Sequence, residues 1–343
     1  MPAPTQPAPS YSKCYALKEI IYGFWATKVT YTPDKYPDLT GKTAVVTGCN
    51  TGVGKEAAKL LYQKNCNVIG VCRTESKGLE AAESIKQEIG NSKGSISVVS
   101  GCDFLDFTTV PQAGKRIQEI LAGKPLNIII HNAGLMSSSN AGTSKQGLEA
   151  MFQTNVMGPQ LLQHYLDPVF LKEDDTSLKR IVWVSSGAHL LGPSQYGIFW
   201  ENPGFDGFAI EKRPAATTLY GATKAANILQ AKAWATRNKE MVDKIGCVSV
   251  SCYPGNLRTD LQRDWHPWTR ATVGRLFYPA EYGAYTELYS VLSPSLTTSD
   301  QGKYICPFDQ VHEPRDDVKE GLQNGTDLAL WDWIESEIKE YIS

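Results

Sequence analysis

Apolar residues alternate between two rhythms along the chain. Short unbroken runs rich in Val and Ile occupy 43–47, 67–72, 95–101, 126–131, 180–185, 246–252 and 303–306. Runs this short and continuous predict strands buried on both faces. Between them, apolar residues recur at helical spacing over 54–63, 77–89, 107–122, 147–170, 219–239 and 281–291. The alternation predicts an α/β fold: a doubly wound parallel sheet of about seven strands, with helices on both sides. No repeat or low-complexity linker divides the chain, so one domain is expected over 41–310. It follows an N-terminal extension over 1–40. It precedes a helical tail over 311–343, where Trp331, Ile334, Ile338 and Tyr341 share one helix face.

Composition narrows the class. The 343 residues are 42% apolar and 20% charged, ordinary for a soluble globular protein. A net charge of -2 gives no general attraction to nucleic acid. The eight cysteines occur singly, without Cys-x-x-Cys or zinc spacing, so no metal site is expected. Free thiols fit a reducing, cytoplasmic setting. The first ten residues lack the apolar run of a signal peptide. Leu17, Ile20, Ile21, Phe24 and Trp25 make 15–31 greasy, but Lys18, Glu19 and Lys28 interrupt it. It is too short to span a bilayer. A helix docked on the core is expected, with peripheral contact at an endoplasmic-reticulum or lipid-droplet surface as the other reading.

The first strand runs into Thr47-Gly48-Cys49-Asn50-Thr51-Gly52-Val53-Gly54, which opens the first helix. This is the context of a Rossmann-type dinucleotide site. Gly48 permits the turn, and Gly52 and Gly54 let backbone approach phosphate at the helix N-terminus. Gly48, Asn50, Thr51, Gly52, Val53 and Gly54 are therefore candidate cofactor residues. The second strand ends at Cys72-Arg73-Thr74. A free ribose 2′-OH usually meets a carboxylate there, whereas Arg73 suits a 2′-phosphate, so NADP(H) is expected over NAD(H).

Tyr220 and Lys224 are four residues apart and share a helix face. An adjacent ammonium eases formation of the phenolate, preparing Tyr220 to exchange a proton with a carbonyl or alcohol oxygen. A second Tyr-x-x-x-Lys match, Tyr31 to Lys35, contains Pro33 and is not expected to be helical. Asn155 lies four residues before Pro159, which has no N–H to give the Asn155 carbonyl. That carbonyl is expected to be free for a water.

These motifs stand in order with Asp103 after the third strand, His131-Asn132-Ala133-Gly134 after the fourth and Ser185-Ser186 after the fifth. Pro254-Gly255-Asn256-Leu257-Arg258-Thr259 follows the sixth. Over residues 40–310 the chain resembles the short-chain dehydrogenase/reductases. The run 180–189, the Cys72-Arg73 pair and the tail are similar to the retinol dehydrogenase and WW-domain oxidoreductase branch, fungal members above all. The resemblance implies an NADP(H)-dependent carbonyl reductase or alcohol dehydrogenase with a tetrad of Asn155, Ser186, Tyr220 and Lys224. Ser186 would hold the substrate oxygen and Tyr220 would be the acid/base. Lys224 would bind the nicotinamide ribose, and the Asn155 carbonyl would complete a water relay. Asp103, with Phe104 beside it, would meet the adenine. Asn132 would tie strands, and Ala133 and Gly134 would pass the cofactor. Pro254, Gly255, Leu257 and Thr259 would hold the carboxamide end.

One segment departs from compact family members. The 187–219 insertion, carrying Leu190, Leu191, Tyr196, Phe199, Trp200, Phe205 and Phe208, either roofs the site or covers the sheet edge. The resemblance implies that the 256–280 loop closes over the substrate; its Leu257, Leu261, Trp265, Trp268, Leu276, Phe277 and Tyr278 favour a lipophilic aldehyde or ketone, with ordinary core or a dimer contact as the other readings. His131 stands where the family has asparagine, and reads as a packed strand-end residue. The partner expected is a small carbonyl or alcohol substrate, with no nucleic acid. A homodimer through the Asn155 and Tyr220 helices is compatible with the family. The rival function is a non-catalytic NADP(H) sensor or scaffold on the same fold.

Overall fold

An interior strand of the sheet is β1 (Thr43–Thr47), buried along its whole length. The computed structural model describes residues 4, 6–137, 142–259 and 277–342. The remaining parallel strands are β2 (Asn67–Val71), β3 (Ile96–Val99), β4 (Ile128–His131), β5 (Arg180–Val184), β6 (Val248–Cys252) and β7 (Tyr304–Cys306). An antiparallel strand, β8 (Gln310–His312), closes one edge, giving the order β3-β2-β1-β4-β5-β6-β7-β8. The expected doubly wound parallel sheet of about seven strands is present, and this antiparallel edge strand extends it to eight. With three residues and only partial burial, β8 carries no apolar run to reveal it.

Alternate residues of β1 serve opposite faces, as strand periodicity requires. Val45 joins one core, while Ala44 and Val46 join the other. The first core contains residues of α4 (Val110–Leu121), α6 (Gly158–Phe170) and α7 (Ala216–Arg237). The second contains residues of α2 (Gly52–Gln63), α3 (Glu75–Ile89) and α9 (Ala280–Leu292). Trp183 and Trp234 are fully buried in the first core. Truncating either to alanine would cost about 3–5 kcal/mol.

The expected helix over 147–170 is broken. A short turn, α5 (Ala150–Phe152), leads into a π turn, Gln153–Met157, before α6 begins. Pro159 cannot supply the α-helical N–H, so the ladder widens just before it. Helix α7 is buried along most of its length, between the sheet and further helices. After α8 (Lys239–Lys244) and α10 (Asp316–Gly321), the tail forms α11 (Thr326–Ile338), packed on α7 and α6. Trp331, Ile334 and Ile338 are its buried face.

Helix α1 (Lys13–Phe24) docks through its polar tips. The hydroxyls of Tyr15 and Tyr22 donate to the carbonyls of Glu313 and Pro307. Glu19 pairs with His312 at 2.9 Å. Leu17, Ile20, Ile21 and Trp25 stay exposed.

Candidate active site

The carboxyl ends of the central strands open into one cleft of about 1110 Å³. It lies where strand order reverses between β1 and β4, the usual ligand position in open α/β sheets. The volume exceeds the roughly 300–1,000 Å³ of ordinary small-ligand pockets, giving space for a dinucleotide and a second molecule. Gly48, Asn50, Thr51, Gly52, Val53, Arg73, Asp103, Phe104, Asn132, Ala133, Gly134, Ser186, Tyr220, Lys224, Pro254, Gly255, Leu257 and Thr259 all line it. Gly54 and Asn155 do not.

The glycines differ in purpose. Gly48 and Gly52 have φ of +70° and +56°, a region where L side chains are strained. Gly54 sits behind the wall, where an added Cβ would come within 2.5 Å of the Gly48 carbonyl oxygen. It closes α2 against the strand tips. Gly52 and Val53 thereby present the α2 N-terminus to the cleft, a position that suits a phosphate. Asn132 Nδ2 donates to the Thr47 carbonyl at 2.9 Å, joining β1 to β4. The Thr47 hydroxyl in turn accepts from the Ala133 N–H at 2.9 Å.

The far end of the cleft carries charges of both signs, with Asp103 and Glu80 among its lining. Arg73 is joined there by Lys55 and Lys77, which sequence reasoning missed. Lys55 lies one turn into α2, and its Nζ donates to Ser84 of α3 at 3.1 Å. Only the packing of α2 against α3 brings these groups together.

The reacting end is built by α7 and the loop after β5. Ser185 anchors the two, its hydroxyl donating to the Lys224 carbonyl at 2.7 Å. The Ser186 hydroxyl accepts from the Ala188 N–H at 3.1 Å, and Ser186 is close enough to Tyr220 to lower its phenol slightly. Lys224 Nζ stands 5.5 Å from the Tyr220 ring centroid. It donates to the Val184 carbonyl at 2.8 Å and to Asn227 Oδ1 at 3.2 Å.

Charge tuning differs from the expectation that Lys224 draws Tyr220 down. Burial pushes the Tyr220 phenol up to about 12, only partly offset by Ser186. Burial likewise pushes Lys224 down to about 8, opposed by Cys252 and Glu287. Desolvation penalises both charged forms and is the largest cause of both shifts. Tyr220 is therefore a neutral phenol, the form that gives a proton. Beneath Lys224, Glu287 is fully buried with both carboxyl oxygens unpartnered. Burial raises it to about 8, with Lys224 pulling the other way.

Asn155 requires a correction. Its side chain clamps Leu135, accepting from the Leu135 N–H at 2.6 Å and donating to the Leu135 carbonyl at 2.9 Å. Its main-chain carbonyl, expected to lack a protein donor, receives one: Asn227 Nδ2 donates to it at 2.8 Å and leaves its second lone pair for a water. Pro159 does remove the helical donor, but a buried side chain fills the gap.

The 187–219 insertion divides its labour. Leu190 and Leu191 line the cleft, whereas Tyr196 and Trp200 belong to the main core. Phe205 packs near Met151, Leu219 and Tyr220 outside the cleft lining. The loop after Ser186 is pinned by fully buried Arg315, which donates to the carbonyl of Gly192 at 2.7 Å and pairs with Asp317 at 2.6 Å. Of the 256–280 loop, Leu261, Trp265, Trp268 and Leu276 lie outside the described residues. Leu257 and Phe277 line the cleft, and Tyr278 instead donates to the Phe24 carbonyl at 3.2 Å. His131 is buried against Trp183, its ring 4.5 Å from the indole, and burial lowers it to about 4.

This arrangement meets its counterparts among known proteins. The family model described as short chain dehydrogenase matches residues 42–198. A short-chain dehydrogenase/reductase of Phomopsis amygdali is 33% identical, covering 93% of this chain and 97% of its own. The protein bet4 of Neocamarosporium betae, of the same description, is 31% identical over 98% of this chain and 99% of its own. The chain belongs to the short-chain dehydrogenase/reductase family and is an oxidoreductase of that family. The NADPH-bound carbonyl reductase from chicken fatty liver shares the fold at TM-score 0.58 and 18% identity, covering 79% of this chain and 98% of that one. L-sorbose reductase from Gluconobacter frateurii, solved with NADPH and L-sorbose, has TM-score 0.58 and 19% identity, covering 79% and 97%. No described helix is long and apolar enough to cross a membrane.

Proposed function

We propose that the protein is an NADP(H)-dependent carbonyl reductase acting on a lipophilic aldehyde or ketone, with the reverse alcohol oxidation at the same site. The observation that carries this reading is the convergence of Ser186, Tyr220 and Lys224 at one end of a cleft whose other end holds Arg73, Lys55 and Lys77. NADP(H), when bound, supplies hydride transfer at carbon. The α2 N-terminus would hold its pyrophosphate, and Arg73 with the two lysines its 2′-phosphate. Ser186 and Tyr220 would both donate to the substrate oxygen. As charge develops there, Tyr220 gives its proton and the neighbouring ammonium of Lys224 stabilises the anion left behind.

Apolar side chains support a greasy substrate. Ile20, Phe24, Leu190, Leu191 and Phe277 all line the cleft. Ile20 also belongs to the exposed apolar face of α1, so a substrate dissolved in membrane or lipid droplet has a short path inward. The test is a panel of aldehydes, ketones and alcohols, assayed in parallel with NADPH and NADH. Turnover with none of them, by a protein that binds NADPH, would favour a sensor instead.

A further inference from the structure

The ammonium of Lys224 begins a continuous line of side-chain hydrogen bonds. Lys224 Nζ donates to Asn227 Oδ1 at 3.2 Å, and Asn227 Nδ2 donates to Gln230 Oε1 at 3.1 Å. Gln230 Nε2 donates to Gln160 Oε1 at 3.1 Å, and Gln160 Nε2 donates to Glu335 Oε1 at 2.9 Å. Asn227 and Gln230 follow Lys224 at three-residue spacing on α7, Gln160 stands on α6 and Glu335 on α11. The three amides are buried.

The direction of the line is fixed at every link. An ammonium only donates and a carboxylate only accepts, so the two ends impose one polarity. Each amide also spends a hydrogen on a main-chain carbonyl. Asn227 donates to Asn155 at 2.8 Å, Gln230 to Val156 at 3.0 Å and Gln160 to the Trp331 carbonyl at 3.1 Å. Flipping any amide would set oxygen against oxygen. Two of these carbonyls lie in the π turn, where Pro159 denies the Asn155 carbonyl its α-helical donor. Hydrogen bonds aligned head to tail polarise one another, and in a buried setting they act on the terminal charge more strongly than in water. None of the residues beyond Lys224 lines the cleft.

We infer that Asn227, Gln230, Gln160 and Glu335 are positioning residues for the reaction, a one-way line that ties the ammonium of Lys224 and the π turn carrying Asn155 to a carboxylate on the C-terminal helix. The line holds Nζ in place and favours its charged form. It rests on the reading of Tyr220 and Lys224 as the proton-transfer pair. The other titratable groups acting on Lys224 are Tyr220 on its own helix, Cys252 on β6 and Glu287 on α9. At the outer end, Asp167 is the titratable neighbour of Glu335.

The test breaks the line far from the cleft. Gln230→Met keeps the shape and removes two links. Glu335→Leu removes the terminal acceptor on a half-buried helix face and covers the case in which Gln230→Met does not fold. Glu335→Gln restores an acceptor without charge. A break is expected to lower kcat roughly tenfold to 100-fold, the cost of a small misplacement. It should move the alkaline limb of kcat/KM to lower pH, with NADPH still bound but more weakly by the share of its affinity that the Lys224 ribose contact supplies. Glu335→Gln should recover part of both losses. Competitive labelling of Lys224 with acetic anhydride, read by peptide mass spectrometry, follows its titration without turnover. An earlier Lys224 titration in both breaking variants supports the line even if no substrate is found for the enzyme. An unmoved titration and alkaline limb in a folded, NADPH-binding variant overturns it, whatever happens to kcat.

Discussion

Arg73 Nη1 and Asp103 Oδ2 face each other at 3.9 Å across the far end of the cleft. The other oxygen of Asp103 accepts from the Leu105 N–H at 3.1 Å, which holds the carboxylate still. Arg73 is exposed and has no close partner of its own in this pairing. A 2′-phosphate here would displace a weak, long ion pair and gain a charge-assisted contact. Arg73→Ser should therefore weaken NADPH binding about tenfold, the lower end of the range for such contacts because the site is exposed. NADH binding should not change. Fluorescence titration with both cofactors decides it: equal losses, or none, would remove Arg73 from the 2′-phosphate site.

Tyr220→Phe should abolish turnover while NADPH still binds, since the ring stays and only the transferable proton goes. The pH profile then reads Lys224. Its ammonium is held down to about 8, so the charged fraction falls as pH rises through that value. The kcat/KM for reduction should decline above pH about 8. A profile flat well beyond that limb would show that the lysine is not the titrating group.

Much of this site was legible because its signals are local. Gly48, Gly52 and Pro159 announce backbone constraints that no neighbour can supply. Tyr220 and Lys224 need only a helix to meet. The strand interiors were legible for a similar reason, being unbroken Val and Ile runs. What the sequence hid depends on elements far apart. Lys55 and Lys77 reach the cofactor end only because α2 packs on α3. Asn227 answers the Asn155 carbonyl from 72 positions away. The edge strand β8 is short and half-solvated, so its residues read as loop. Burial also reversed one inference: spacing alone made Lys224 the tuner of Tyr220, while desolvation dominates both groups.

Glu287 makes a stability prediction of definite sign. In the folded protein its carboxyl is raised from 4.5 to about 8. Between those values the native state holds a proton that the unfolded chain has released. Stability from this group is then full below the unfolded pKa and falls as pH rises toward about 8. The loss is on the order of a few kcal/mol for a group this buried. Glu287→Gln carries the neutral amide at every pH and should flatten that slope. Parallel melting curves for the two proteins across the window would show that the carboxyl is not buried and neutral.

Substrate length tests the apolar reading of the cleft. Leu191 is half exposed at its rim, and Ile20 faces it from α1. A longer alkyl chain on the substrate would cover these side chains. Each methylene removed from water contributes about 0.8 kcal/mol, roughly a fourfold gain in affinity. A series of straight-chain aldehydes should accordingly show kcat/KM rising with length until the cleft is filled. Leu191→Asp should flatten the rise, because a carboxylate at the rim stays hydrated and repels the chain, while the shortest aldehydes never reach it. Phe205→Ala should lower stability without changing the slope, since that ring packs outside the cleft lining. A flat or falling series in the unmodified enzyme would mean a small, polar substrate. It would leave Ile20, Leu190 and Leu191 as packing for the loop after Ser186 alone.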